Sequence, residues 1–186
     1  MRRRSKVMIA AGLVIGGAWA CTSMSASETH APVPARFILE APGGGSGTVW
    51  VQLNDALDHP GWVRVAHASG ERVYLEERCD VEDCGQPGGV CGMAFPMVLS
   101  LSAAGAVEYE WDGRRSVVDA AAQCEILEPA PPGEYRATFC WGSDVSDLGQ
   151  GDPARGVPGM LQDPVCQVVT FTLPGDTEVR YRIPAP

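Results

Sequence analysis

Seven cysteines and three histidines are the residues of this 186-residue chain with the widest chemical repertoire, and their spacing limits what that chemistry can be. Cys79, Cys84 and Cys91 crowd into one Gly- and Pro-rich stretch, while Cys124, Cys140 and Cys166 are spread over the second half. Zinc takes cysteines in closely spaced pairs, and Cys79 with Cys84 has no second pair to complete a tetrahedron. Cys91-Gly92-Met93 with Met97 offers the soft sulfur donors that suit copper, but methionine in a strand is more commonly core filler. Asp144-Val145-Ser146-Asp147-Leu148-Gly149 opens like a calcium loop and then fails, because Leu148 supplies no ligand and Arg155 stands where the bidentate acid belongs. That stretch reads as a solvated loop, and no metal or other cofactor is expected.

Candidate nucleophiles and bases do no better. The run Gly43-Gly44-Gly45-Ser46-Gly47 could cradle a phosphate only if a helix and a lysine followed, whereas a strand pattern follows and the only lysine is Lys6. A nucleophile elbow around Ser46 would need glycine at position 48, which is Thr48. Neither His30, nor His59 before Pro60, nor His67 falls into a Ser/His/Asp or Cys/His pattern. Adjacent carboxylates such as Glu76-Glu77 and Glu82-Asp83 read as solvated charge. The expectation is a chain that is not an enzyme, with an unrecognised hydrolase or metal-binding protein as one alternative.

The compartment is written at the N-terminus. Arg2, Arg3, Arg4 and Lys6 precede an apolar run from Val7 to Ala20 that is too short to span a bilayer and ends in Ala18-Trp19-Ala20, a small-x-small cleavage site. Residues 1–20 therefore read as a secretory signal. Cys21 follows, and there the chain resembles a bacterial lipoprotein precursor, in which a cysteine after the lipobox is acylated and becomes the mature N-terminus. Ala20 matches that box; Ala18 stands where Leu is usual and Trp19 where a small residue is. The resemblance implies lipidation of Cys21 and attachment to a membrane, and Thr22, rather than Asp, after the cysteine implies the outer membrane, facing periplasm or cell surface. Setting Cys21 aside leaves an even set of six cysteines, as expected for disulfides in an exported protein. Residues 21–35, rich in Ser, Thr, Ala and Pro, read as a flexible tether.

Removal of the signal takes four of the fourteen basic residues and none of the twenty-three acids, leaving a formal charge of −13. Such a surface repels nucleic acid and offers no basic face to anionic headgroups, so membrane attachment rests on the lipid.

Residues 36–186 carry strand periodicity. Val107, Tyr109 and Trp111 alternate with Glu108 and Glu110, and Asp112-Gly113 ends that strand in a turn. Pro132-Gly133 opens another with Tyr135, Ala137 and Phe139 on one face. Further strands are expected at 36–40, 48–53, 62–65, 72–76, 93–101, 168–173 and 179–183, with the first two forming a hairpin across the glycine run, and Pro96 confining its strand to an edge or bulge. A short helix is expected near 117–123 and a long loop over 142–163. About nine short strands separated by turn signals predict an all-β, antiparallel β-sandwich with disulfide-fixed loops. Cys140, ending one strand, and Cys166, beginning the next, are expected to pair; one bond within Cys79, Cys84 and Cys91 and one from that group to Cys124 would use the rest.

Trp111, Asp112, Gly113, Pro131, Gly133 and Tyr135 resemble the central hairpin of bacterial immunoglobulin-like domains of the hook-capping and intracellular proteinase inhibitor types. There a strand ends in Trp-Asp and a later Pro-x-Gly-x-Tyr opens the next. The resemblance implies an immunoglobulin-like sandwich, with Tyr135 tying the strand start through its hydroxyl. The expected function is a non-enzymatic binding or structural module of the cell envelope with an envelope protein as partner, and the alternative from this resemblance is an inhibitor of exported proteases.

Overall fold

A computed structural model describes residues 30–43, 47–54, 60–73, 75, 95–119, 121 and 124–185. The signal segment, Cys21, His59, Cys79, Cys84 and Cys91 lie outside these residues. The chain is built of β1 (Ala35–Glu40), β2 (Trp50–Asn54), β3 (Val63–His67), β4 (Arg72–Val73), β5 (Met97–Ser100), one helical turn α1 (Leu101–Ala104), β6 (Ala106–Trp111), β7 (Arg114–Asp119), β8 (Cys124–Pro129), β9 (Gly133–Trp141), β10 (Asp144–Ser146), β11 (Val157–Pro158), β12 (Met160–Gln162), β13 (Val165–Leu173) and β14 (Glu178–Arg182). The expectation of a β protein holds: the described residues are mostly strand, with fourteen strands among them where about nine were expected.

Two sheets supply most of the core. One runs β14-β1-β6 and the other β13-β9-β3-β4; a third, β11-β5-β2, and the hairpins β7-β8 and β10-β12 complete the set. Alternation decides which face is buried: Val107 and Trp111 of β6 point inward while Glu108 and Glu110 remain wet, and Tyr135, Ala137 and Phe139 of β9 are fully buried. The inward faces meet through aromatic rings, Phe37 against Phe171 at 5.6 Å, Trp111 against Tyr135 at 6.5 Å and Tyr181 against Phe139 at 6.1 Å between centroids. Edge-on and offset geometries of this kind add to the area buried by the rings.

Several expected pairings are corrected. β1 does not form a hairpin with β2, because β14 and β6 occupy both its edges while β2 pairs with β5. A long glycine run sets no register, so it can carry the chain to a different sheet. β1 and β14 are parallel, a departure from the all-antiparallel expectation; the intervening chain supplies the long crossover that parallel strands require. β6 and β9 likewise face each other from different sheets, and the true hairpin between them is β7-β8. It replaces the expected helix near 117–123, at least over Val117–Asp119, because Arg115 pairs across the hairpin with Glu128 at 2.7 Å. Pro96 stands just before β5, which is the middle strand of its sheet rather than an edge.

The residues expected to tie these turns do so. Tyr135 donates its hydroxyl to the Pro131 carbonyl at 2.5 Å, and burial pushes its pKa up, so the group stays a donor. Asp112 accepts from the Arg114 amide at 2.8 Å, and Gly113 has φ 80, where a side chain is strained. A Cβ at Gly113 would also run into the Val33 backbone. Val33 packs on the core and His30 donates Nε2–H to the Ala130 carbonyl at 2.7 Å. Residues 30–35, read as the end of a flexible tether, are thus laid on the domain, because few large side chains still permit backbone docking at a glycine.

The outer face of the first sheet is a ladder of charges. Glu40, with only 12% of its side chain exposed, accepts from Arg180 and, at 2.6 Å, from Arg182, while Arg36 pairs with Glu108. The Arg180 bond and then the Arg182 bond hold the Glu40 carboxyl below its ordinary value of 4.5. A carboxyl depressed in the folded state stabilises above its unfolded pKa and loses that contribution as pH falls through the folded value. Urea midpoints followed from neutral pH to about pH 3 should therefore fall less for Glu40→Gln than for the parent, the two curves converging at the acid end. Parallel curves would remove Glu40 from the acid response.

Candidate functional site

At one end of the molecule the two main sheets part around a crevice of about 280 Å³. β9 supplies Trp141 at its end and β13 supplies Val165 at its start, and Thr48, Val49, Ser143, Ile183 and Pro184 are among the other residues of the wall. Trp141 is placed from behind, stacked on Tyr181 at 5.5 Å, which in turn stacks on Phe139. The backbone of the next residue is clamped as well: Gly142 and Trp50 exchange hydrogen bonds of 2.8 and 3.0 Å, joining β2 of the third sheet to the end of β9.

The expected Cys140–Cys166 pair is present beside this crevice. The two residues lie opposite each other in the β9-β13 ladder and are disulfide-bonded, with Cα atoms 4.1 Å apart. Cys124 is disulfide-bonded too. Its partner and the other cysteines of the expected network fall outside the described residues.

None of the described lining residues ionises; Thr48 and Ser143 offer hydroxyls, and the remaining side chains are apolar. The crevice is therefore a neutral patch on an acidic protein, suited to an apolar or aromatic side chain with a hydrogen bond at its rim.

The sequence-predicted reactive residues do not converge here. His67 bonds Ser69 Oγ at 2.9 Å within its own turn and sets its ring edge-on to Tyr135. Among the described residues no group of three or more His, Cys, Asp or Glu is arranged to hold a metal ion. Asp144 and Ser146, read as loop, belong to β10, paired with β12. This small hairpin is held by Gln52, whose amide accepts from the Leu161 N–H at 2.9 Å and donates to the Met97 carbonyl at 2.8 Å. Trp141 and Val165 escaped the sequence reading. The signal for Trp141 was the period-two series Tyr135, Ala137, Phe139, which continues to it past Cys140.

No family model, curated protein or solved structure matches the chain. Among the described residues no helix is long and apolar enough to cross a membrane.

Proposed function

We propose that the chain is an exported lipoprotein, anchored through acylated Cys21, whose immunoglobulin-like β-sandwich is a non-enzymatic binding module of the cell envelope. The observation that carries the binding role is the neutral crevice with Trp141 on its wall, set on an otherwise acidic surface. Aromatic walls of this kind give a large contact area at little conformational cost. The partner consistent with it is an envelope protein that presents an apolar side chain.

Two measurements test the reading. The intact mass of the chain extracted from its own host's membranes should begin at Cys21, carry a diacylglycerol and an acyl group, and rise on reduction by the hydrogens of its disulfides. Affinity capture from the same membranes should then recover a partner with the parent chain and lose it with Val165→Asp. Val165 is 59% exposed, so the carboxylate enters the crevice mouth without disturbing the core. An unacylated chain in the soluble fraction removes the anchor, and capture indifferent to Val165→Asp removes the crevice.

A further inference from the structure

A second crevice, also of about 280 Å³, opens beside the β10-β12 hairpin and shares no residue with the first. Phe95 and Pro96, just ahead of β5, form one part of its lining; Asp147, just after β10, and Pro158, Gly159 and Met160, from β11 to β12, form the rest.

Backbone ties fix this lining in place. The Gly159 N–H donates to the Pro96 carbonyl at 3.0 Å, and the Gly149 N–H donates to the Pro158 carbonyl at 2.7 Å. The segment that carries Phe95 and the turn that carries Asp147 are thus both fastened to the 157–160 run. Gly159 is buried, and a Cβ there would stand 2.9 Å from Val98 and 3.0 Å from Val145, so the floor is backbone held against the third sheet. Met160 lies opposite Ser146 in the β10-β12 ladder, which sets it beside Asp147.

Two kinds of surface meet here. Phe95 is 83% exposed, the highest value among the exposed large apolar side chains described, and Met160 is 49% exposed. Apolar side chains scattered singly over a surface call for no partner, but these two line one concave site together with two prolines. The only ionisable residue in the lining is Asp147. Among the described residues its carboxylate has no hydrogen-bond or ion-pair partner. The surrounding segment from 142 to 164 adds Asp144, Asp152 and Asp163 and a single arginine, Arg155, which is spent on Asp152 at 3.5 Å. The potential over the crevice is therefore negative.

We propose that this crevice receives a lysine or arginine side chain of a partner polypeptide. Charge complementarity selects it. An anionic group would be repelled by Asp147, a wholly apolar one would bring that carboxylate no counter-charge, and a small hydrated cation would leave Phe95 and Met160 in water. A side chain with a hydrocarbon stem and a cationic head meets both demands: the stem lies along Phe95, Met160 and the proline rings, and the head reaches the Asp147 carboxylate at the rim. The exposed face of Phe95 adds a cation–π attraction for the same head.

Nuclear magnetic resonance titration of the full chain at physiological salt tests the proposal with three small probes: the Nα-acetyl N-methylamides of lysine, of arginine and of norleucine, which is lysine without its amine. The lysine or the arginine probe, or both, should shift the Asp147, Gly159 and Met160 amides and bind about fivefold more tightly than the norleucine probe. Asp147→Asn should erase that difference. Asp147 has φ 54, and asparagine tolerates the left-handed region as aspartate does, so this variant keeps the turn. Phe95→Ala should weaken all three probes, and because Phe95 is exposed the rest of the amide spectrum should stay as in the parent. Equal binding of all three probes, an advantage of the cations that survives Asp147→Asn, or shifts spread over the acidic surface and not gathered at these amides overturns the proposal.

Discussion

Replacing Trp111 with alanine is expected to cost about 4 kcal/mol of unfolding free energy, the range for removing a large aromatic side chain from a packed core. Trp111 is 1% exposed and stands at the junction of three elements. Its ring lies 6.3 Å from Phe37 within its own sheet and 6.5 Å from Tyr135 across the core. Its Nε1–H donates to the Arg114 carbonyl at 2.5 Å, which fixes the path of the chain from β6 into the β7-β8 hairpin. Trp111→Phe separates the two contributions, since it keeps most of the packing and leaves that carbonyl without its donor; about 1 to 2 kcal/mol should be lost. Guanidinium unfolding of both variants checks the order. If Trp111→Ala cost no more than Trp111→Phe, the ring would not be packed between the sheets.

What the sequence disclosed follows from what a period of two encodes. Alternation at Val107-Tyr109-Trp111 and at Tyr135-Ala137-Phe139 tells which face is buried, because a residue on the wrong face would expose the core. It does not tell which strand lies alongside. β1, β6 and β9 were therefore legible as strands, while the β1-β2 hairpin and the β6-β9 pairing were misassigned. β7 and β8 were hidden for a different reason. Arg114, Arg115, Glu125 and Glu128 interrupt their apolar alternation, and the pairing of Arg115 with Glu128 and Glu71 is made only in space. β10 to β12 were concealed among glycines whose close contacts are long-range: a Cβ on Gly159 would press on Val98 and Val145. The crevice has the same origin, since its walls come from strand ends far apart in sequence. Cys140 and Cys166 were legible because a disulfide between two strand termini needs only that those strands be neighbours.

That bond is the second place where a large effect is expected. It closes a loop of 26 residues, for which the chain-entropy model gives about 3.5 kcal/mol, so Cys140→Ala combined with Cys166→Ala should lower the unfolding free energy by about that amount. Both cysteines must be replaced, because either alone would leave a thiol free to exchange with other disulfides. The loss should also be felt locally. Trp141 and Val165 are the residues next to the bond, and they form one side of the crevice, so its wall should fray before the core opens. Hydrogen exchange at Gly142 and Val165 should thus accelerate more than exchange in the middle of β9, where Tyr135 and Ala137 are buried between the sheets. Equal acceleration along β9 would mean that the disulfide supports the whole domain and not the crevice. Full reduction of the parent should cost more than the double replacement, because Cys124 is disulfide-bonded as well. The bond thus does two things at once. It restricts the unfolded chain, and it fastens together the two strand ends, Trp141 of β9 and Val165 of β13, that form one side of the neutral, apolar crevice.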